Sequence, residues 1–137
     1  MDRHKKCFNL ARKNAYLSDF DRIHIGCIAT YKGKVISTGH NAQKTHPEQK
    51  VYNEYRFCYE TGATRHTIHA EMMCLNKIPD NIPYNKIKLY IYRIRKDIPH
   101  GMARPCPACM QRIKDLGIKN IYYTTNDGFA YEKVSTI

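Results

Sequence analysis

No stretch of this chain approaches the roughly 20 consecutive apolar residues that a helical membrane span requires, and its apolar runs are only a few residues long. Nor does Met1-Asp2-Arg3-His4 open the charged-then-apolar pattern of a secretory leader. These two absences predict a cytoplasmic protein with no membrane partner. Internal repeats and low-complexity segments are also missing, and 137 residues suit one domain, so a single domain over residues 1–137 is expected. Acidic residues are scarce as well: 12 Asp plus Glu stand against 23 Lys plus Arg, a formal net charge of +11. Such an excess favours phosphate-bearing partners through long-range attraction, without separating a mononucleotide from a nucleic acid.

Six cysteines are present, Cys7, Cys27, Cys58, Cys74, Cys106 and Cys109. Without a leader, a secreted disulfide scaffold loses its compartment, and reduced thiols or metal ligands are expected instead.

The pattern of apolar residues predicts an α/β fold. From Arg3 to Ser18, Cys7, Phe8, Leu10, Ala11 and Ala15 recur at helical spacing among basic and polar residues, as in a helix covering a sheet. Two β-rich runs, Ile23 to Tyr31 and Lys34 to Thr38, meet at Lys32-Gly33, the composition of a two-residue hairpin turn. Asn85 to Lys96 is apolar or aromatic on both faces, so helices should flank that strand on both sides. Pro107 to Leu116 keeps helical spacing with Gly117 as its cap, and "IKNIYYTT" follows as a strand, which predicts a parallel crossover. Asn126-Asp127-Gly128 then marks a final hairpin. The segment from Ala42 to His66 is too long for an ordinary connection and should carry its own helix, with Glu48 to Tyr59 the best candidate.

Two short motifs carry the chemistry. "HAE", His69 to Glu71, opens a helix-like run that Pro79 should end, and "PCPAC", Pro105 to Cys109, opens the helix from Pro107. Catalytic zinc takes three nitrogen or sulfur ligands from protein and keeps its fourth position for water. His69, Cys106 and Cys109 make three. A helix start suits both cysteines, because the positive end of the helix dipole stabilises thiolates and Pro107 gives up no needed hydrogen bond there. His69 and Glu71 cannot share one face of a regular helix, so the helix must begin at about Thr67 to His69. Two other readings of the cysteines stay open: a thioredoxin-like redox pair, and a closed structural zinc site with His66 or Cys74 as fourth ligand.

The paired motifs His-Ala-Glu and Pro-Cys-x-x-Cys, in this order, resemble those of the cytidine and deoxycytidylate deaminase superfamily. The resemblance covers nearly the whole chain, from the covering helix through the hairpin and "GHN" at Gly39 to Asn41. It implies a three-layer α-β-α, cytidine-deaminase-like fold with a mixed five-stranded sheet, a Zn2+ cofactor on His69, Cys106 and Cys109, and no organic cofactor. It also implies hydrolytic loss of ammonia from a cytosine ring, Glu71 serving first as base and then as acid. Substrate contacts are expected from Asn41 and Ala70, and a homo-oligomer is expected as the assembly.

The substrate is where the motifs divide. A His, Cys, Cys ligand set matches the deoxycytidylate, tRNA-adenosine and nucleic-acid-editing branches, whereas a final hairpin matches the branch acting on free nucleosides. Arg104 stands immediately before Pro105-Cys106, where several members carry serine or glutamate, and its guanidinium could grip a phosphate. Deoxycytidylate is therefore the expected substrate. The alternatives are cytosine or adenine in single-stranded DNA or RNA, supported by the Tyr52, Tyr55, Phe57 and Tyr59 interleaved with Lys50, Arg56 and Arg65, or a catalytically idle zinc module that binds nucleic acid. His46, Cys58 and His66 offer a second, structural metal site, although their spacing fits no short zinc pattern.

Overall fold

A computed structural model describes residues 3–20, 23–53, 67–95, 97 and 100–135. Five strands, β1 (His24–Tyr31), β2 (Lys34–His40), β3 (Lys88–Ile94), β4 (Asn120–Thr124) and β5 (Phe129–Lys133), form one sheet in the order β2-β1-β3-β4-β5. The β3–β4 pair is parallel and the other pairs are antiparallel, so the sheet is mixed, as the sequence led us to expect. Lys32 and Gly33 both take positive φ, 52° and 80°, the geometry a tight hairpin between right-twisted strands demands.

Side-chain alternation sorts the strand residues into two cores. Ile28, Tyr90 and Tyr92 face helix α1 (Arg3–Ala15) and bury Cys7, Phe8 and Ala11. Their neighbours Cys27, Ala29, Leu89 and Ile91 face the opposite way, onto helices α3 (Ala70–Asn76) and α4 (Pro107–Leu116), with Ala70, Cys74, Met110, Ile113 and Ile121 completing the larger core. Burial on both faces explains why β1 and β3 read as nearly continuous apolar runs. The result is the three-layer arrangement expected. Gly117 ends α4 in the left-handed region at φ 90°, the cap its position suggested.

Helix α2 (Pro47–Tyr52) supplies part of the helix expected in the long connection, and the rest of that expectation, to Tyr59, lies outside the described residues. The aromatic and basic residues Tyr55, Arg56, Phe57, Tyr59 and Arg65, and the candidate metal ligands Cys58 and His66, lie outside them as well. His46 is in view, and its Nδ1 caps α2 by accepting the Glu48 N–H at 3.1 Å. No helix among the described residues is long and apolar enough to cross a membrane.

Candidate active site

The site is assembled where two helices begin. His69 is the N-cap of α3, with extended backbone at φ −84° and ψ 157°, and Cys106 is the N-cap of α4, at φ −66° and ψ 166°. Because His69 stands outside the helix and Glu71 in its first turn, the objection to two residues two apart on one face falls away. Ala70, fully buried, is the first helical residue between them. Cys109, also fully buried, follows in the first turn of α4, where the Met110 N–H closes the opening helical bond on the Cys106 carbonyl at 2.8 Å.

Three donor atoms converge. His69 Nδ1 lies 3.5 Å from Cys106 Sγ and 3.4 Å from Cys109 Sγ, and the three ligand atoms all lie within 4.8 Å of one another. Zinc bonds of about 2.3 Å to sulfur and about 2.0 Å to nitrogen, set at the tetrahedral angle, would place nitrogen and sulfur roughly 3.5 Å apart. The donor set therefore fits zinc in both chemistry and spacing. Hydrogen bonding with Cys109, together with the hydrogen bond and charge of His69, draws the Cys106 thiol down to about 4 against the opposing effect of burial. Cys106 is thus a thiolate at neutral pH, the form that binds a metal. Cys74 does not join this group, and His66, the other fourth ligand considered, lies outside the described residues.

Glu71 is only 5% exposed. Burial pushes its carboxyl up to about 7, with His69 drawing it down and Cys106 adding to the rise. A carboxyl near neutrality can both take and give a proton at physiological pH. Zinc in the neighbouring donor set would add positive charge beside it and favour its ionised form.

Three structural devices hold these groups in place. The first is Gly39 of "GHN", on β2: a Cβ there would lie 2.4 Å from the Ala70 carbonyl oxygen and 2.6 Å from the Cys74 nitrogen, so only glycine lets α3 approach the strand this closely. The second is the entry to α3. Ala42 donates its N–H to the Ile68 carbonyl at 3.1 Å, Ile68 donates to Lys44 at 2.9 Å, and the His69 N–H donates to Gln49 Oε1 at 3.0 Å. The third is the segment leading to Cys106. Fully buried Thr124 donates its hydroxyl to the Gly101 carbonyl at 2.6 Å and accepts the Arg93 N–H at 3.1 Å, while the Ala103 N–H donates to the Thr124 carbonyl at 2.9 Å.

Gln49 and Thr124 carry no signal in the sequence, because an isolated Gln or Thr makes no pattern. Gln49 is fully buried on α2 and also donates to Asn53 Oδ1 at 2.7 Å, so the long connection serves as a brace behind His69. Losing a partner that orients a metal ligand costs roughly 10- to 100-fold in metal affinity. Gln49→Met, which keeps the bulk and removes the acceptor, should weaken zinc binding about tenfold, at the low end because Gln49 holds the backbone and not the imidazole. Competition with a chromophoric chelator measures this.

The remaining expected site residues are placed as follows. Asn41 is 6% exposed, and its amide acts as a partner for the start of β1: Oδ1 accepts the Ile25 N–H at 3.0 Å and Nδ2 donates to the Ile23 carbonyl at 2.9 Å. Arg104 is half exposed and pairs with Glu132 of β5 through two parallel bonds, Nε at 2.8 Å and Nη2 at 2.9 Å. Glu132 also accepts the Tyr123 hydroxyl at 3.1 Å.

An α/β sheet that sets one imidazole, two cysteine sulfurs and a buried carboxyl at the starts of two adjacent helices defines a zinc hydrolase. Residues 1–125 match the model of the cytidine and deoxycytidylate deaminase zinc-binding region, and the chain belongs to that family of zinc-dependent hydrolytic deaminases. Among solved structures, it is similar to the dCMP deaminase from the cyanophage S-TIM5 in apo form, with 20% identity, a TM-score of 0.62, and coverage of 89% of this chain and 82% of that one. It is similar also to the cytidine deaminase from Burkholderia pseudomallei, with 15% identity, a TM-score of 0.65, and coverage of 98% and 94%. At these identities the likeness is one of fold. No curated protein matches the sequence.

Proposed function

We propose that this chain converts cytosine to uracil in a deoxycytidylate-type mononucleotide, with His69, Cys106 and Cys109 as zinc ligands and Glu71 as the proton carrier. The observation that carries the reading is the buried Glu71 carboxyl in the first turn of α3, next to a three-atom donor set. A closed structural metal site has no use for such a group.

Zinc bound there supplies Lewis acidity and, through it, a strong oxygen nucleophile at neutral pH. Glu71 accepts the proton released as water adds to C4 of the cytosine ring. It returns that proton to the ring nitrogen, takes the second proton from the new C4 hydroxyl, and delivers it to the departing amine, so that water and cytosine become uracil and ammonia. Ala70, its side chain packed in the core, meets the substrate through its backbone. Asn41, tied to the start of β1, retains one amide N–H and one oxygen lone pair to meet the sugar or the base.

A phosphorylated substrate is favoured by Arg104 beside Pro105-Cys106 and by the +11 charge. The S-TIM5 dCMP deaminase has been solved in complex with dCMP and dUMP, at 19% identity to this chain. The tight β4–β5 hairpin, in which Tyr122 pairs with Tyr131, leaves no room for a helix between the last two strands and favours a free nucleotide or nucleoside over a polymer.

The test is ammonia release and base conversion with zinc-loaded protein on deoxycytidylate, deoxycytidine and a cytosine-containing short strand, at several salt concentrations and below saturation. Deoxycytidylate should turn over fastest, with only a gentle loss as salt rises, because a single phosphate meets few cations. Strand turnover with a steep salt slope, and none on the mononucleotide, would overturn the substrate assignment in favour of the polymer. Strand binding without conversion of any base would leave only a binding module.

A further inference from the structure

A cavity of about 230 Å³ opens at the end of the sheet away from the zinc donors. Arg3 and Cys7 of α1, Thr30 and Tyr31 at the end of β1, Lys32 and Gly33 of the hairpin turn, and Lys86, Lys88 and Tyr90 around the start of β3 line it. The zinc site lies at the other end, where β1 begins beside Asn41 and where the segment before Cys106 is hydrogen-bonded to the ends of β3 and β4.

The charge of this lining is one-sided. Among the described residues it holds four cations, from three separate parts of the fold, and no carboxylate. The ion pairs of the described residues, Arg95 with Asp97 and Arg104 with Glu132, involve none of the four. Arg3, Lys32, Lys86 and Lys88 also give no side-chain hydrogen bond among the described residues, while Lys32 Nζ lies 5.3 Å from the Tyr31 ring centroid. Like charges gathered around one concavity repel, and concave low-dielectric walls focus their field. At Cys7, on the cavity wall, burial pushes the thiol up, while a hydrogen bond with Tyr90 and the charges of Arg3, Lys6 and Lys88 act against that rise.

Size narrows the ligand. Sites that enclose a drug-sized molecule run from about 300 to 1,000 Å³. A cavity of about 230 Å³ has room for a phosphate or diphosphate group and too little for a whole nucleotide. We propose that this cavity is a binding site for a phosphoryl group, separate from the deaminase centre and read by Arg3, Lys32, Lys86 and Lys88. The group comes either from a small inorganic polyphosphate or from the phosphate end of a nucleotide whose base stays outside. The proposal is independent of the substrate assigned above, because no residue of the zinc site takes part.

Calorimetric titration of the zinc-loaded protein with inorganic pyrophosphate at low salt tests it. One saturable site per chain is expected. A triple variant, Lys32→Asn, Lys86→Gln and Lys88→Gln, should bind about tenfold more weakly or worse, since three exposed charge contacts are removed together. Asn is chosen at position 32 because the backbone there has φ 52°, which asparagine tolerates. Arg104→Gln should leave pyrophosphate affinity unchanged, which separates this cavity from any phosphate held near Cys106. Titration with ADP distinguishes the sources. Affinity within a few-fold of pyrophosphate means that the phosphoryl group alone is read, and markedly tighter binding assigns the group to a nucleotide. Absence of saturable binding, or equal affinity in wild type and a folded triple variant, would overturn the proposal. Unfolding of the triple variant, seen by circular dichroism, shifts the comparison to the single variant Lys86→Gln, where an affinity equal to wild type again overturns it.

Discussion

Replacing either cysteine of the donor set should empty the site: purified wild type is expected to carry about one zinc per chain, and Cys106→Ser or Cys109→Ser close to none after dialysis against a mild chelator. The reason lies in protonation. A serine hydroxyl does not ionise near neutral pH, whereas the Cys106 thiol is drawn down to about 4 by its hydrogen bond with Cys109 and by His69. With one thiolate gone, only two protein ligands remain for a metal that requires three. Deamination should then fall below detection, and His69→Ala should behave alike. Cys74→Ser is the control, since Cys74 is fully buried but outside the group. Zinc retained in both cysteine variants would remove the assignment, and zinc lost equally from Cys74→Ser would point to a closed structural site.

The effect should also show without any substrate. A metal that binds only the folded chain stabilises it by mass action, so wild type should melt at a higher temperature with zinc than after chelation. The two cysteine variants should lose that difference. This readout separates a missing metal from a merely inactive centre.

The candidate site is legible in the sequence because its chemistry is local in two places. "HAE" and "PCPAC" each fit within one helix start, and the helix boundaries around them, Pro107 and Gly117, follow from residue types with a single backbone preference. The hairpin at Lys32-Gly33 and the alternation in β1 and β3 were legible for the same reason. What stayed hidden depends on residues far apart meeting in space. Gln49 reaches the backbone of His69 across 20 positions, Thr124 fastens Gly101 across 23, and Arg104 finds Glu132 across 28. No periodicity marks such pairs. The Arg104–Glu132 pair bears on the proposed substrate: a phosphate bound by Arg104 would have to share or displace Glu132, a competitor that the charge of Arg104 alone does not reveal.

Glu71→Gln is expected to leave zinc content and fold intact while lowering turnover by about 10²- to 10⁴-fold, the range general acid–base catalysis supplies. Gln has nearly the same shape, so the first turn of α3 should still pack in its buried position. Stability should not suffer, because burial disfavours the charged form of Glu71 and an amide carries no charge to desolvate. What the amide cannot do is accept a proton from water and return it to the ring nitrogen and the amine. The loss should therefore appear in kcat, with KM for deoxycytidylate changed little, because the group acts most strongly in the transition state. Glu71→Asp sharpens the test: it keeps a carboxyl but withdraws it by one methylene, and should fall between wild type and Gln. Zinc content, melting temperature and steady-state kinetics on the same preparations distinguish the outcomes. Turnover within a few-fold of wild type in a zinc-loaded Glu71→Gln protein would remove Glu71 from the mechanism, and zinc lost along with activity would make it a ligand instead of a proton carrier.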